Sequence, residues 1–203
     1  MRRGKLIIFE GGEGCGKGTQ LKLLSEWLTY KNIKHVCTKE PGKNPIGQQI
    51  RQILLNKANT DLTPIAELLL YSADRTLQYN KIKNLLEQGI WVLSDRSWPS
   101  TLAYQGTAGK VSQDIIESLI QISINKIQPD LLLIINVNPE LGLQKETNPD
   151  RFTDKGIEYH KEVQQGYLNI AKDYANFTRV ISYVKDNIDN MQEKIRDYVK
   201  PLL

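Results

Sequence analysis

Apolar residues along the chain fall into short runs separated by longer stretches with helical spacing. The runs are Leu6–Phe9, His35–Thr38, Trp91–Ser94, Leu131–Val137 and Val180–Tyr183, and each reads as a strand. Leu131-Leu132-Leu133-Ile134-Ile135 is continuously apolar, which predicts a central parallel strand covered on both faces. Leu21, Leu23, Leu24, Trp27 and Leu28 recur at the spacing of one helix face. Gly47-Gln48-Gln49-Ile50-Arg51 is placed on a helix after the second strand. Thr63-Pro64 supplies an N-cap and a proline at the first helical position, opening a long helix to about Gln88. Ser112 caps a helix to about Ile127, and Pro129 follows its end. Pro139 and Glu140 open a short helix, Gly156 opens another to about Tyr174, and Asn187 or Asp189 begins the last, which ends before Pro201. Strands alternating with helices imply an α/β fold, a parallel sheet wrapped on both faces. No repeat or low-complexity linker interrupts the pattern, so residues 1–203 are read as one unit.

In such a sheet, ligands bind beyond the carboxyl ends of the strands. Polar residues should then cluster just after each apolar run, and they do. The first run is followed by Gly11-Gly12-Glu13-Gly14-Cys15-Gly16-Lys17-Gly18-Thr19-Gln20. Strand, glycine-rich turn, lysine and helix is the context of a phosphate-binding loop. Glycines let the backbone curl so that several N–H groups point at phosphate oxygens. The helix N-terminus adds partial positive charge, and Lys17 reaches the β- and γ-phosphates. Gly18 stands where the pattern has Ser or Thr, and Thr19 comes one residue late. The loop specifies the fold further as a P-loop NTPase, a three-layer α/β/α arrangement with a five-stranded parallel sheet.

The second run is followed by Lys39-Glu40-Pro41-Gly42, the third by Asp95-Arg96-Ser97, and the fourth by Asn138-Pro139 and then Lys145 and Arg151. Asp95 at a strand end can hold a Mg²⁺ water or order the arginine. Arg96 can grip a phosphate with two parallel hydrogen bonds.

Composition narrows the partners. Apolar residues are 40% and charged residues 25% of 203, an ordinary globular balance. No run approaches the ~20 apolar residues of a membrane span, and Met1-Arg2-Arg3-Gly4 leads straight into the first strand without a signal peptide. The net charge of +4 is a mild excess that a small polyanionic substrate explains as well as a nucleic acid. The basic tail from Lys194 to Lys200 alternates with apolar residues and reads as an amphipathic helix, not a nucleic-acid patch. Cys15 and Cys37 make no metal-ligand spacing and read as reduced thiols of a cytoplasmic protein.

Several stretches in order resemble the thymidylate kinase family. Asp95-Arg96, then Ser100-Thr101 and Ala103-Tyr104-Gln105-Gly106, are similar to its pattern after the third strand. Thr38-Lys39-Glu40-Pro41-Gly42, Leu68-Leu69-Leu70-Tyr71-Ser72-Ala73-Asp74-Arg75, and Asp150-Arg151-Phe152 with Gly156-Ile157-Glu158-Tyr159-His160 match three further stretches. The resemblance implies transfer of a phosphoryl group from ATP to thymidine monophosphate, with Mg²⁺. It implies that Gly11 to Thr19 hold the ATP phosphates, with Glu13, Lys17, Asp95, Arg96 and Arg151 catalytic and Glu13, Asp95 and Thr19 on the metal side. Acceptor residues would be Glu40, Arg51, Tyr71, Arg75, Arg96, Ser100, Thr101, Tyr104 and Gln105. Tyr71 would stack on thymine, Arg75 and Ser100 or Thr101 would reach the base, and Tyr104 and Gln105 would line the sugar and base pocket. A homodimer is also implied.

Phosphoryl transfer requires two anions held in line and charge neutralised on the moving group. Cations from several strand ends, Lys17, Lys39, Arg51, Arg75, Arg96 and Arg151, are suited to that. The chain departs from the family at Gly18, at Tyr71 in place of phenylalanine and at Ser97 in place of tyrosine. Its lid, at about 143–156, offers only Lys145 and Arg151 before residue 152. Arg151 is the expected closing cation. Two alternatives compete: another nucleoside monophosphate kinase, adenylate kinase above all, suggested by Gly16-Lys17-Gly18-Thr19-Gln20, and a non-catalytic nucleotide-binding switch.

Overall fold

The computed structural model describes residues 3–184 and 187–203. The reading of the N-terminal run rests in part on Met1 and Arg2, which lie outside the described residues. Five strands, β1 (Leu6–Glu10), β2 (His35–Lys39), β3 (Trp91–Asp95), β4 (Leu131–Asn136) and β5 (Thr178–Ser182), form one parallel sheet in the order β2-β3-β1-β4-β5. The expected five-stranded parallel architecture is therefore present. β1 lies between β3 and β4, so the loop that follows it emerges at the middle of the carboxyl edge. The register sets Asp95 between Phe9 and Lys39.

Alternate strand residues pack against opposite layers. Leu6, Ile8, Val92, Leu132 and Ile134 join a core with Leu68, Ile116 and Tyr167. These last three come from α3 (Pro64–Glu87), α5 (Gln113–Ile124) and α7 (Ile157–Asp173). Ile7, Phe9, Leu93, Leu133 and Ile135 join a second core with Leu24 and Ile195, from α1 (Lys17–Tyr30) and α8 (Ile188–Val199). The basic C-terminal segment is thus an amphipathic helix with its apolar side on the sheet.

Helix starts follow local chemistry. Asn44 caps α2 (Pro45–Leu55), Thr63 caps α3, Asn138 caps α6 (Pro139–Lys145) and Asn187 caps α8, each accepting a backbone N–H. Helix α5 stops at Ile124, short of the expected end, because Asn125 and Lys126 both take left-handed backbone.

The spacing of the segment after β3 predicts no element. That segment forms a short helix, α4 (Trp98–Thr101), that widens into a π-helix over Leu102–Ala108. Helix α7 lies close against it. A Cβ on Gly166 would stand 2.8 Å from the Ala103 Cα, so glycine permits this approach.

Candidate active site

An open cleft of about 580 Å³ lies beyond the carboxyl ends of β1, β2 and β3. The glycine-rich loop forms one wall. Lys39, Glu40 and Arg51 form a second, and Tyr71 with the π-helix a third. Residues from Lys145 to Thr153 overhang the opening.

The loop is built as its glycines require. Gly14 has φ +60°, and a Cβ there would stand 2.0 Å from the Gly142 carbonyl oxygen. Gly16 precedes α1, so the helix N-terminus opens on the cleft. The Lys17 ammonium folds over the loop, donating to the carbonyls of Gly11 at 2.9 Å and Gly12 at 3.0 Å. Gly18 and Thr19 line the cleft and are exposed.

The three candidate metal residues are not equivalent. Asp95 faces the cleft, and its Oδ1 is buried without a hydrogen-bond partner. A buried carboxylate oxygen in that state fits a hydrated cation. The Thr19 hydroxyl is on the same cleft wall as Lys17. Glu13 fits less well, because Arg96 and Tyr104 already occupy it. Among the described residues no cluster of three His, Cys, Asp or Glu forms a cage. A cation held here would depend on one carboxylate, a hydroxyl and ligand oxygens, the usual manner for Mg²⁺.

Arg96 is the hub of the site. It has φ +68°, an uncommon backbone for a long side chain, and it turns back over the loop. Its Nη2 donates to Glu13 Oε1 and Oε2 at 3.2 and 3.3 Å. Its Nη1 donates to the Gly11 carbonyl at 3.1 Å and to Tyr167 at 3.0 Å. The Tyr104 hydroxyl donates to Glu13 Oε1 at 2.7 Å, and its ring lies 5.2 Å from the guanidinium. Burial pushes the Glu13 carboxyl up, but Arg96, Lys17 and the Tyr104 hydrogen bond together outweigh it and hold it at about 2.

Beneath Arg96 lies Glu10, a fully buried carboxylate at the end of β1. It accepts from the Ser97 amide at 2.8 Å, the Ser100 hydroxyl at 2.7 Å and the Tyr167 hydroxyl at 2.8 Å. Burial raises its pKa above the usual carboxylate range. Sequence reasoning passed over Glu10 and Tyr167. A carboxylate closing an apolar strand was the available sign for Glu10; nothing local marked Tyr167.

Most expected acceptor residues do converge. Tyr71 lines the cleft, with Phe152 across from it at a centroid distance of 6.4 Å. Arg75 lies fully buried behind the wall, where its Nε donates to Glu40 at 2.7 Å and its Nη2 to Thr101 at 2.7 Å. Its Nη1 is buried and unpartnered. Burial pushes the Glu40 carboxyl up to about 7, against the pull of Arg75. Arg51 lines the cleft and donates to the Pro41 carbonyl at 3.2 Å. Ser100 and Thr101 differ: Ser100 is bonded into the Glu10 network, whereas Thr101 pairs with Arg75. Gln105 lines the cleft from the π-helix.

Arg151 does not take the expected place over the transferring phosphate. Its guanidinium turns away from the cleft, donating from Nε to the Leu54 carbonyl at 3.0 Å and pairing from Nη1 with Glu67 at 2.8 Å. Glu67, on α3, is a fully buried carboxylate that draws the cation inward. The cation of the overhanging segment that lines the cleft is Lys145, which also bonds the Tyr183 hydroxyl.

A family model described as "Thymidylate kinase" matches residues 9–195. A thymidylate kinase of Carboxydothermus hydrogenoformans is 41% identical over 175 residues, covering 84% of this chain and 86% of the relative. One of Symbiobacterium thermophilum is 34% identical over 200 residues, covering 97% and 93%. The crystal structure of thymidylate kinase from Ehrlichia chaffeensis superposes with a TM-score of 0.81 at 28% identity, covering 98% of this chain and 99% of that one.

Proposed function

Since the chain belongs to the thymidylate kinase family and is an enzyme of dTMP phosphorylation, we propose how its cleft divides the work of moving the γ-phosphoryl of ATP to dTMP. The carrying observation is that one cleft is lined both by the glycine-rich loop with Lys17 and by Tyr71 and Gln105.

The donor half is the loop from Gly11 to Thr19. Its backbone N–H groups and the α1 N-terminus hold the phosphates of ATP. Lys17 leaves the Gly11 and Gly12 carbonyls for the β- and γ-phosphates. Asp95 and Thr19 would hold Mg²⁺, which supplies charge neutralisation on the phosphate oxygens when bound. The acceptor half is on the other side of Arg96. Tyr71 offers a ring face to the base, Gln105 and Thr101 its polar edge, with Arg75 holding Thr101 from behind the wall, and Tyr104 the sugar. Arg96 and Arg51 receive the acceptor phosphate. Glu13 keeps Arg96 aimed between the two halves, so both anions meet one oriented guanidinium. The overhanging segment, about 143–156, acts as the lid, with Lys145 as the cation it brings to the phosphates.

Purified protein with ATP and Mg²⁺ should phosphorylate dTMP far better than AMP, CMP or UMP. Equal turnover of AMP would reject this reading in favour of an adenylate kinase-like enzyme. No transfer to any acceptor would favour a nucleotide-binding switch.

The assembly is proposed to be a homodimer, supported by the exposed apolar side chains of Ile46, Ile53, Ile65 and Leu69 on α2 and α3. Light scattering on the purified protein tests it. Among the described residues no helix is long and apolar enough to cross a membrane. A cytoplasmic location without a nucleic-acid partner completes the proposal, supported by two free cysteines and only a mild net charge of +4.

A further inference from the structure

Glu67 lies one turn before Tyr71 on α3, fully buried, with donors converging on it. Its Oε1 receives Arg151 at 2.8 Å and Lys155 at 3.2 Å. Its Oε2 receives the side-chain Nε2 of Gln105 at 2.8 Å. The last contact has a chemical consequence. A primary amide has a donor end and an acceptor end, and a carboxylate accepts only. Glu67 therefore fixes which way round Gln105 sits. The NH₂ faces Glu67, and Oε1 is the end left for a ligand in the cleft that Gln105 lines. Among the described residues no group donates to that Oε1.

We infer that Glu67 is a positioning residue for base selection: by fixing the Gln105 amide, it presents a hydrogen-bond acceptor to the base and so favours an imide over cytosine. Thymine and uracil carry an N3–H donor. Cytosine has a bare N3 acceptor at the same place, which would oppose Oε1 and leave a buried acceptor pair unsatisfied. Without Glu67 the amide turns over freely and serves either base. The inference rests on the proposed acceptor site, since it needs the base to reach Gln105.

The test compares dUMP with dCMP, which differ only at N3 and C4, by calorimetric dissociation constants on the full chain. Wild type should prefer dUMP, and E67Q should lower the dUMP-to-dCMP preference at least fivefold. If E67Q weakens both nucleotides by the same factor, Glu67 is only structural and the inference is overturned. The exchange variant E67Q/Q105E restores a donor against an acceptor across the pair and keeps an acceptor toward the cleft. It should regain most of the preference; an exchange variant as indifferent as E67Q also overturns the inference. Where a variant fails to fold, the wild type decides. The Gln105 side-chain carbonyl ¹³C resonance should shift on adding dUMP, and a response confined to the NH₂ group rejects the assignment. Failure of the acceptor-site reading looks different, because wild type would then bind neither dTMP nor dUMP.

Discussion

Glu13, in the glycine-rich loop, and Arg96, at the end of β3, are joined by a salt bridge of 3.2 Å across the middle of the cleft. Neither residue is free to serve a nucleotide alone. Charge on one fixes the other, and the Tyr104 hydroxyl locks the pair from the π-helix.

This pair makes acid stability depend on Glu13. The folded carboxyl sits at about 2, below its ordinary 4.5. A lowered value means stability that is fully present above about pH 4.5 and is lost as pH falls toward 2. Glu13→Gln should be less stable than wild type by about 2 kcal/mol at pH 7, with the gap reduced by about half by pH 3. Urea unfolding at the two pH values measures this. A gap that does not change with pH would disprove the pairing.

Lys17→Met should lower kcat by about 100-fold or more, as removal of a preorganised charge at a transition state does. The melting temperature should hold within a few degrees, because the ammonium's partners, the Gly11 and Gly12 carbonyls and the Cys15 sulfur, all belong to its own loop. Steady-state kinetics and calorimetry on one preparation separate the two effects.

The two lid cations should part company. Arg151→Met removes one partner of the buried Glu67 and should destabilise by about 2 kcal/mol or more, with the loss visible in thermal unfolding. Lys145→Met should leave stability nearly unchanged, since Lys145 is exposed, and should lower kcat about tenfold. An inactive but fully stable Arg151→Met would return the closing role to Arg151.

Gly166→Ala should displace the π-helix. The added Cβ meets the Ala103 backbone at 2.8 Å, and such overpacking costs about 1–3 kcal/mol. The acceptor KM should rise while the KM for ATP stays near its wild-type value, because Tyr104 and Gln105 belong to the displaced element.

The strands, the capped helices and the glycine-rich loop were legible in the sequence because their causes are local. A continuous apolar run, an Asn or Thr before a helix, and glycines before a lysine each act within a few residues. Residues of the cleft were legible as types at strand ends. Their partners were not. Arg151 has the right chemistry for a lid, but its direction is decided by Glu67, a residue distant in sequence and buried by packing. Glu10 likewise gains its meaning only when Ser97, Ser100 and Tyr167 arrive from other elements. The π-helix left no mark because Leu102, Ala103 and Tyr104 are consecutive and make neither a helix face nor a strand alternation, and the docking of α7 against that segment is visible only in three dimensions.

That wide turn makes the acceptor wall a counting device. An α-helix closes its rings over four residues and a π-helix over five, so Leu102–Ala108 holds a longer stretch of chain in the same span. Removing one residue would let the segment relax to the narrower form, which absorbs the deletion locally and re-aims the side chains inside the widened turn. Gln105 lies inside that turn, so its direction on the cleft wall depends on the residue count as well as on the side chains. A changed side chain alters one contact of this wall, whereas a changed residue count alters the aim of the whole turn.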